Sequence, residues 1–203
     1  MHRHSNASSK SLPSNELNLP IPLGPDLLAE ITAIDPTLLG DIRSDHAGET
    51  GAVMIYRGVL AGSRDPLVRE FALAHLATEQ RHLAVVEAML LPGQRSLLLP
   101  LWRIAGWLTG FLPAIVSARA VFATIEAVET FVNQHYEDQI RKLPAAGSAG
   151  SLRAVLRECQ ADEVHHRDEA SALRGARCGF VLRLWTWLVA FGSRVAVVAA
   201  RRV

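Results

Sequence analysis

The chain has 203 residues, 49% of them apolar and 20% charged, and its formal net charge is +1. This balance excludes an intrinsically disordered protein and is typical of one globular domain with a sizeable core, with or without a tail. Two cysteines, Cys159 and Cys178, are too few for a disulfide framework, a zinc ribbon or a rubredoxin-type iron centre.

Residues 1–34 are predicted to be a flexible N-terminal tail, which leaves residues 35–203 as the folded domain. The first twenty residues contain serine, asparagine and proline but no continuous apolar stretch, so we do not expect a secretory signal. A mitochondrial presequence is the alternative, although two basic residues are few for one.

Four helices are predicted from the positions of proline and glycine. An aspartate before a proline favours a helix start, because the carboxylate caps the first turn and proline needs no N–H there. The first predicted helix runs from Asp35-Pro36 to about Gly62, and the second from Asp65-Pro66 to Leu91. The third includes Glu126–Ile140 and ends at Pro144. The fourth runs from Ser151, its N-cap, to Gly175. No segment alternates as a strand would, so the fold class is all-α.

Two apolar segments, at about 97–118 and 180–203, are predicted to associate with a membrane. The first is interrupted by Pro100, Arg103, Gly106, Gly110 and Pro113. Its longest uncharged run has 15 residues, whereas a membrane span needs roughly 20. We therefore expect each segment to lie in the core or in one leaflet rather than to cross the bilayer.

The C-terminal part of the chain is basic as well as apolar. Residues 170–203 contain no acid and six arginines, namely Arg174, Arg177, Arg183, Arg194, Arg201 and Arg202. These arginines alternate with apolar residues, which favours an anionic membrane surface over nucleic acid as the partner. A solvated helix face is the alternative interpretation.

Two Glu-x-x-His motifs, Glu79 with His82 and Glu163 with His166, indicate metal binding. A spacing of three residues places both side chains on one helix face, where they can bind the same ion. One such pair is weak evidence, because glutamate and histidine are common on solvated helices.

Each motif has a matching glutamate on the preceding helix. Glu49 lies 30 residues before Glu79, and Glu129 lies 34 residues before Glu163. A tyrosine, Tyr56 or Tyr136, follows each of these glutamates by seven residues. The two halves of the chain therefore repeat the same pattern, which chance explains poorly.

One glutamate from each of two helices and one Glu-x-x-His from each of the other two form the ligand set of ferritin-like carboxylate bundles. The predicted metal ligands are Glu49, Glu79, His82, Glu129, Glu163 and His166. Four carboxylates balance two divalent ions, and oxygen-rich ligation with two imidazoles suits iron or manganese. The sequence thus predicts a ferritin-like four-helix bundle that holds two iron ions.

Other residues near these motifs have supporting roles in the prediction. Asp162 or Asp45 could accept the second N–H of a ligating imidazole. Gly48 and Gly51 weaken a helix, which indicates the close approach of another helix or of the metal cluster.

Several motifs together resemble the demethoxyubiquinone hydroxylase family, over roughly residues 38 to 203. They are Asp45-His46-Ala47-Gly48-Glu49, Glu79-x-x-His82, Val128-Glu129 with His135-Tyr136, and Glu163-x-x-His166-x-Asp168. The resemblance implies a di-iron monooxygenase that hydroxylates the ring of a demethoxyubiquinone or demethoxyubiquinol with O2 and two reducing equivalents. It also implies that His135 and Tyr136 are candidates for relaying protons or electrons.

The same resemblance implies a polyprenyl quinone substrate and a peripheral position on a membrane. This is the cytoplasmic face of a bacterial inner membrane or, alternatively, the matrix face of the mitochondrial inner membrane. Other proteins of ubiquinone biosynthesis and further copies of the chain are candidate partners, and no nucleic acid is expected.

Three other functions stay open at this stage. The first is a ferritin-like iron oxidase or iron-handling protein, whose surface we expect to be more polar. The second is a related di-iron hydroxylase of another substrate, such as a modified nucleoside in transfer RNA, against which the apolar tail argues. The third is a membrane-bound interaction protein without metal.

Overall fold

The described residues of the computed structural model, 25–35, 37–143, 149–175 and 179–203, form helices and no strand. The helices are Pro25–Ile34 (α1), Thr37–Gly62 (α2), Pro66–Ala88 (α3), Leu99–Ala114 (α4), Ala118–Lys142 (α5), Gly150–Arg174 (α6) and Phe180–Ala200 (α7), with a 3-10 turn at Pro92–Gln94. The prediction of an all-α fold is confirmed. Cys178, Pro36 and Pro144 lie outside the described residues.

The two helix starts that were predicted at Asp35 and Asp65 agree with the structure. The Asp35 carboxylate accepts hydrogen bonds from the backbone N–H of Thr37 at 2.9 Å and from its hydroxyl at 2.7 Å. Asp65 caps α3 by accepting from the N–H of Leu67 at 2.9 Å. The prediction for Ser151 was wrong, because α6 begins at Gly150 and Ser151 lies inside its first turn.

Helices α2, α3, α5 and α6 form the predicted four-helix bundle. Helix α2 packs against α3, and α5 packs against α6. The connection between these two hairpins contains the 3-10 turn and α4, and a long crossover of this kind is typical of ferritin-like folds.

The bundle core consists of two apolar layers. One layer contains Ile42, Val86, Tyr136, Ile140 and Leu156, and the other contains Tyr56, Val59, Phe71, Phe122 and Ile125. On each of the four helices, the predicted metal ligands fall between the residues of these two layers. The ligands therefore occupy a polar layer enclosed by apolar side chains.

Helix α1 lies inside the segment predicted to be a flexible tail. Leu28 and Ile31 on this helix are buried in the first apolar layer. Residues 25–34 are thus packed on the domain, which corrects this part of the prediction, while residues 1–24 lie outside the described residues. The signal that the sequence offered was the helical spacing of Leu28 and Ile31.

Helix α4 lies directly against the backbone of α2. A Cβ atom at Gly106 would lie 2.5 Å from the backbone oxygen of Gly51, and one at Gly110 would collide with the backbone oxygen of Ile55. The close approach predicted at Gly51 is confirmed. The close contact there involves the backbone of Gly51, since an added Cβ at Gly51 or at Gly48 would meet no neighbouring atom within 4 Å.

Helix α7 packs along α5 and α2. Its Trp185 indole N–H donates to the Thr124 hydroxyl at 2.8 Å, and Arg201, just after the helix, lies 2.8 Å from Asp41. Arg183 and Arg194 are exposed and have no acidic partner within the described ranges. Among these residues, α7 is the one helix long and apolar enough to cross a membrane by length and composition.

Both apolar segments expose large apolar side chains on the side away from the bundle. We call this surface the apolar outer face; it comprises Leu101, Ile104, Leu108 and Leu112 of α4 and Leu184, Trp187, Leu188, Phe191, Val195 and Val198 of α7. Pro100 and Pro113 lie in the first and last turns of α4, so neither breaks the helix.

Candidate metal centre

The six predicted ligands meet at the centre of the bundle. Helix α2 contributes one, α3 two, α5 one and α6 two, and each side chain is at most 3% exposed: Glu49, Glu79, His82, Glu129, Glu163 and His166. The repeated sequence pattern thus corresponds to two helical hairpins that direct matching side chains at one point.

The ligand atoms form two groups that share two carboxylates. The first group is Glu49, Glu79, His82 and Glu163, and the second is Glu79, Glu129, Glu163 and His166. Within each group one ligand atom per residue lies within 4.8 Å of the others. Glu79 and Glu163 belong to both groups, so the two groups overlap at these carboxylates.

Both imidazoles direct Nδ1 at the carboxylates. The Nδ1 atom of His82 lies 3.1 Å from Glu163 Oε1 and 3.8 Å from Glu49 Oε2. The Nδ1 atom of His166 lies 3.0 Å from Glu79 Oε1 and 3.3 Å from Glu163 Oε2.

Many atoms of this cluster lack a hydrogen-bond partner. Among the described residues, the buried atoms without one include Glu49 Oε2, both carboxylate oxygens of Glu79, Glu129 Oε2, Glu163 Oε2 and His166 Nδ1. Buried polar atoms without partners are costly and uncommon in folded proteins. Metal ions would satisfy them, and the donor set of carboxylates with two imidazoles fits such ions.

The pKa values of several glutamates in the cluster are shifted far from their ordinary values. Burial raises the pKa of Glu49 and of Glu129 well above the ordinary value. Burial also acts to raise the pKa of Glu163, but the close imidazoles of His166 and His82 outweigh it and hold the value at about 2. Without metal, therefore, the cluster must keep protons that bound cations would displace.

Asp162 orients one of the ligating imidazoles. Its Oδ2 atom lies 3.0 Å from Nε2 of His82, and Arg81 donates to the same oxygen at 2.7 Å. This contact fixes the proton of His82 on Nε2 and leaves Nδ1 free to bind an ion. The alternative, Asp45, was wrong because its carboxylate instead contacts His135 at 2.9 Å and Gln139.

The two tyrosines hold the two carboxylates that are not shared. Tyr136 donates a hydrogen bond to Glu49 Oε1, and Tyr56 donates to Glu129 Oε1 at 3.2 Å. His135 contacts none of the six ligands through a hydrogen bond; its Nε2 lies 3.2 Å from the Ser44 hydroxyl, beside Asp45. Of the proposed relay pair, only Tyr136 touches a ligand directly.

His75 is a further buried histidine near the centre, and from the sequence it was expected to be solvated or packed rather than ligating. Its ring centroid lies 4.1 Å from that of His166, and its Nε2 lies 2.9 Å from Glu169 Oε2. Burial lowers the pKa of His75 to about 3, so it is a neutral ring packed against a ligand. Its position one turn before Glu79 was the available signal.

Two cavities lie beside the centre. The outer cavity has a volume of about 410 Å³ and lies between α2, α4, α5 and α7. The inner cavity has a volume of about 30 Å³ and reaches Glu49, Glu129 and Glu163. The two share wall residues on α2, α5 and α7, so the outer cavity leads towards the ligands.

The bundle and its two overlapping groups of buried carboxylates and imidazoles define a ferritin-like protein with a cluster that could hold metal. A family model described as ubiquinone biosynthesis protein COQ7 matches residues 37–200. The chain therefore belongs to this family.

Similar proteins carry names that agree with the family. The chain is 32% identical over 169 residues to NADPH-dependent 3-demethoxyubiquinone 3-hydroxylase, mitochondrial, of Dictyostelium discoideum, covering 80% of this chain and 76% of the relative. It is 34% identical over 167 residues to 3-demethoxyubiquinol 3-hydroxylase of Rhodospirillum rubrum, with the same coverage of 80% and 76%.

Proposed function

We propose that the chain is a di-iron monooxygenase that hydroxylates the ring of a demethoxyubiquinone or demethoxyubiquinol. One oxygen atom of O2 enters the ring, and the other leaves as water after two electrons and two protons are supplied. The observation that carries the proposal is the pair of ligand groups that share Glu79 and Glu163, in a family whose relatives are named as hydroxylases of this substrate.

The ligand set supports iron as the metal. Glu49 and His82 would hold one ion, Glu129 and His166 the other, and the shared carboxylates would bridge them. Two ferrous ions in these positions would supply the O2-activating chemistry.

The protein's own contribution is to position the ligands and to exclude water. The hydrogen bonds from Tyr136 and Tyr56 hold the outer carboxylates, and Asp162 fixes the tautomer of His82. The apolar layers on both sides of the cluster keep bulk water away from the reacting ring. Tyr136 is also a proton donor within reach of Glu49.

The outer cavity is the proposed binding site for the quinone ring. Its volume of about 410 Å³ falls within the range of small-molecule pockets. Trp102 and Trp185, on α4 and α7, line opposite parts of it, and both helices carry the apolar outer face. A substrate with a polyprenyl chain can thus enter from a bilayer without passing through water.

The apolar outer face supports a peripheral position on a membrane. Because α7 packs on the bundle along one side, it is suited to lie in one leaflet rather than to cross both. Exposed Arg183 and Arg194 fit anionic headgroups at the border of that face. With relatives from bacteria and mitochondria, the proposed location is the cytoplasmic face of a bacterial inner membrane or the matrix face of the mitochondrial one.

The test is a single-turnover assay with the iron-loaded chain, a short-chain demethoxyubiquinol and ¹⁸O₂. Mass spectrometry is expected to find one ¹⁸O atom in the ring of the product. A matched Glu163→Ala variant is expected to give none. Absence of product from the wild type, together with iron uptake in thousands per assembly, would contradict the proposal and favour an iron-storage protein.

A further inference from the structure

The passage between the two cavities is narrow. The inner cavity, at about 30 Å³, has room for about one water molecule. The outer cavity is more than ten times larger at about 410 Å³. A ring bound in the outer cavity can therefore approach the carboxylates only past the residues that border both cavities. These are Ser44, Gly48, Ala52, Phe131, Val132 and Val197.

Gly48 is unusual among these wall residues. It is exposed although the next residue, the ligand Glu49, is only 3% exposed. A Cβ built on Gly48 would meet no neighbouring atom within 4 Å, so the space beside it belongs to the cavities. A methyl group there would occupy about the volume of a water molecule, which is comparable to the inner cavity.

Close helix packing explains some glycines of the domain, but not Gly48, Gly51 or Gly192, where an added Cβ would meet no neighbouring atom within 4 Å. At Gly58 and Gly110 an added Cβ would collide with backbone atoms of the facing helix. Gly48 has no such neighbour, and as a glycine inside α2 it destabilises the helix by about 1 kcal/mol relative to alanine. Gly48 differs from Gly51 and Gly192 in that it borders the inner cavity as well as the outer one.

We propose that Gly48 determines which molecules reach the metal centre, because its missing side chain lets the edge of an aromatic ring held in the outer cavity approach the carboxylates. This inference rests on the proposed function for the identity of the ring, a quinone or quinol. Small ligands pass with or without a side chain at position 48, whereas ring-sized ligands require glycine.

Two probes of different size test this selectivity without relying on turnover. Azide and phenol both give charge-transfer bands when they bind ferric iron, so each can be titrated into the oxidised, iron-loaded chain. The variants are Gly48→Ala and Gly48→Val, with Gly150→Ala as the control. Gly150 also lies in a helix with open space around an added Cβ, but it is at the start of α6, remote from both cavities.

The affinity of phenol is expected to fall roughly 5- to 100-fold in Gly48→Ala, because the phenol ring would overlap with the added methyl group. In Gly48→Val the phenol band should be absent. The affinity of azide and the iron content should equal those of the wild type in every variant. The melting temperature of Gly48→Ala should rise by roughly 2 to 4 °C, which separates a blocked passage from a damaged fold.

Equal phenol affinity in the wild type and Gly48→Val would overturn the inference, and so would a wild type that binds azide but no phenol. A combined loss of azide, phenol and iron in Gly48→Ala would also overturn it, because the residue would then support the centre itself. If the proposed function fails but this inference holds, phenol binding will still depend on glycine at position 48, while the wild type will not hydroxylate the demethoxyubiquinol.

Discussion

Raising the pH from 7 to 9 is expected to destabilise the metal-free protein. Burial lowers the pKa of His166, but the carboxylates of Glu163 and Glu79, 3.3 and 3.0 Å from its Nδ1, outweigh burial and raise the value from 6.5 to about 9. A group whose pKa rises on folding stabilises the fold fully below its unfolded pKa. That contribution is lost as the pH rises through the folded value.

The magnitude follows from the two pKa values of His166. With a pKa of 6.5 in the unfolded state and about 9 in the folded state, proton linkage predicts that the free energy of unfolding falls by about 2 kcal/mol between pH 7 and pH 9. For a chain of this size, the melting temperature should fall by roughly 4 to 8 °C. His82, whose pKa is also raised, acts in the same direction. Folding lowers the pKa of His46 and of His75, so both are neutral in either state above pH 7 and add nothing.

Thermal denaturation of the chelator-treated protein, followed by circular dichroism, measures this trend. With saturating Mn²⁺ the trend should reverse, because bound metal requires ionised carboxylates and neutral imidazoles. A His166→Gln variant without metal should lose much of the pH dependence. A melting temperature of the metal-free wild type that stays constant or rises from pH 7 to 9 would refute the reasoning.

Three other perturbations have defined outcomes. Asp162→Asn should weaken metal binding roughly 10- to 100-fold in a chelator competition, because His82 loses its orienting partner; unchanged affinity would contradict this role. Gly110→Ala should lose roughly 1 to 3 kcal/mol of unfolding free energy, since its Cβ would collide with the Ile55 backbone oxygen, and an unchanged denaturation midpoint would argue against that contact. Arg194→Ala should reduce binding to anionic vesicles by roughly fivefold and leave binding to neutral vesicles unchanged; an equal loss on both would exclude a headgroup contact.

The convergence of the six predicted ligands could be anticipated from the sequence because the chain repeats their pattern. A single Glu-x-x-His is ambiguous, but two copies with matched upstream glutamates are constrained by helix geometry to point at one another. The helix starts at Asp35 and Asp65 were equally local, since capping depends on neighbours in the chain. These features required no knowledge of how the helices pack.

The features that the sequence did not reveal depend on contacts between distant segments. The packing of α1 depends on apolar residues at the end of the bundle, and the edge-to-face contact of His75 with His166 depends on how α3 faces α6. Asp45 and Asp162 were equal candidates in the sequence, because only tertiary structure decides which carboxylate reaches His82. The different roles of Gly48 and Gly110 are likewise set by what faces them.

The most direct test of the metal centre is the iron content of the purified, anaerobically reconstituted chain beside two variants. The wild type should bind two iron ions per chain. Glu163→Ala should lose both, since both ligand groups share this carboxylate, whereas Glu49→Ala should weaken only the ion held with His82. A wild type that binds no iron, or a Glu163→Ala variant that keeps two ions, would contradict the proposed centre.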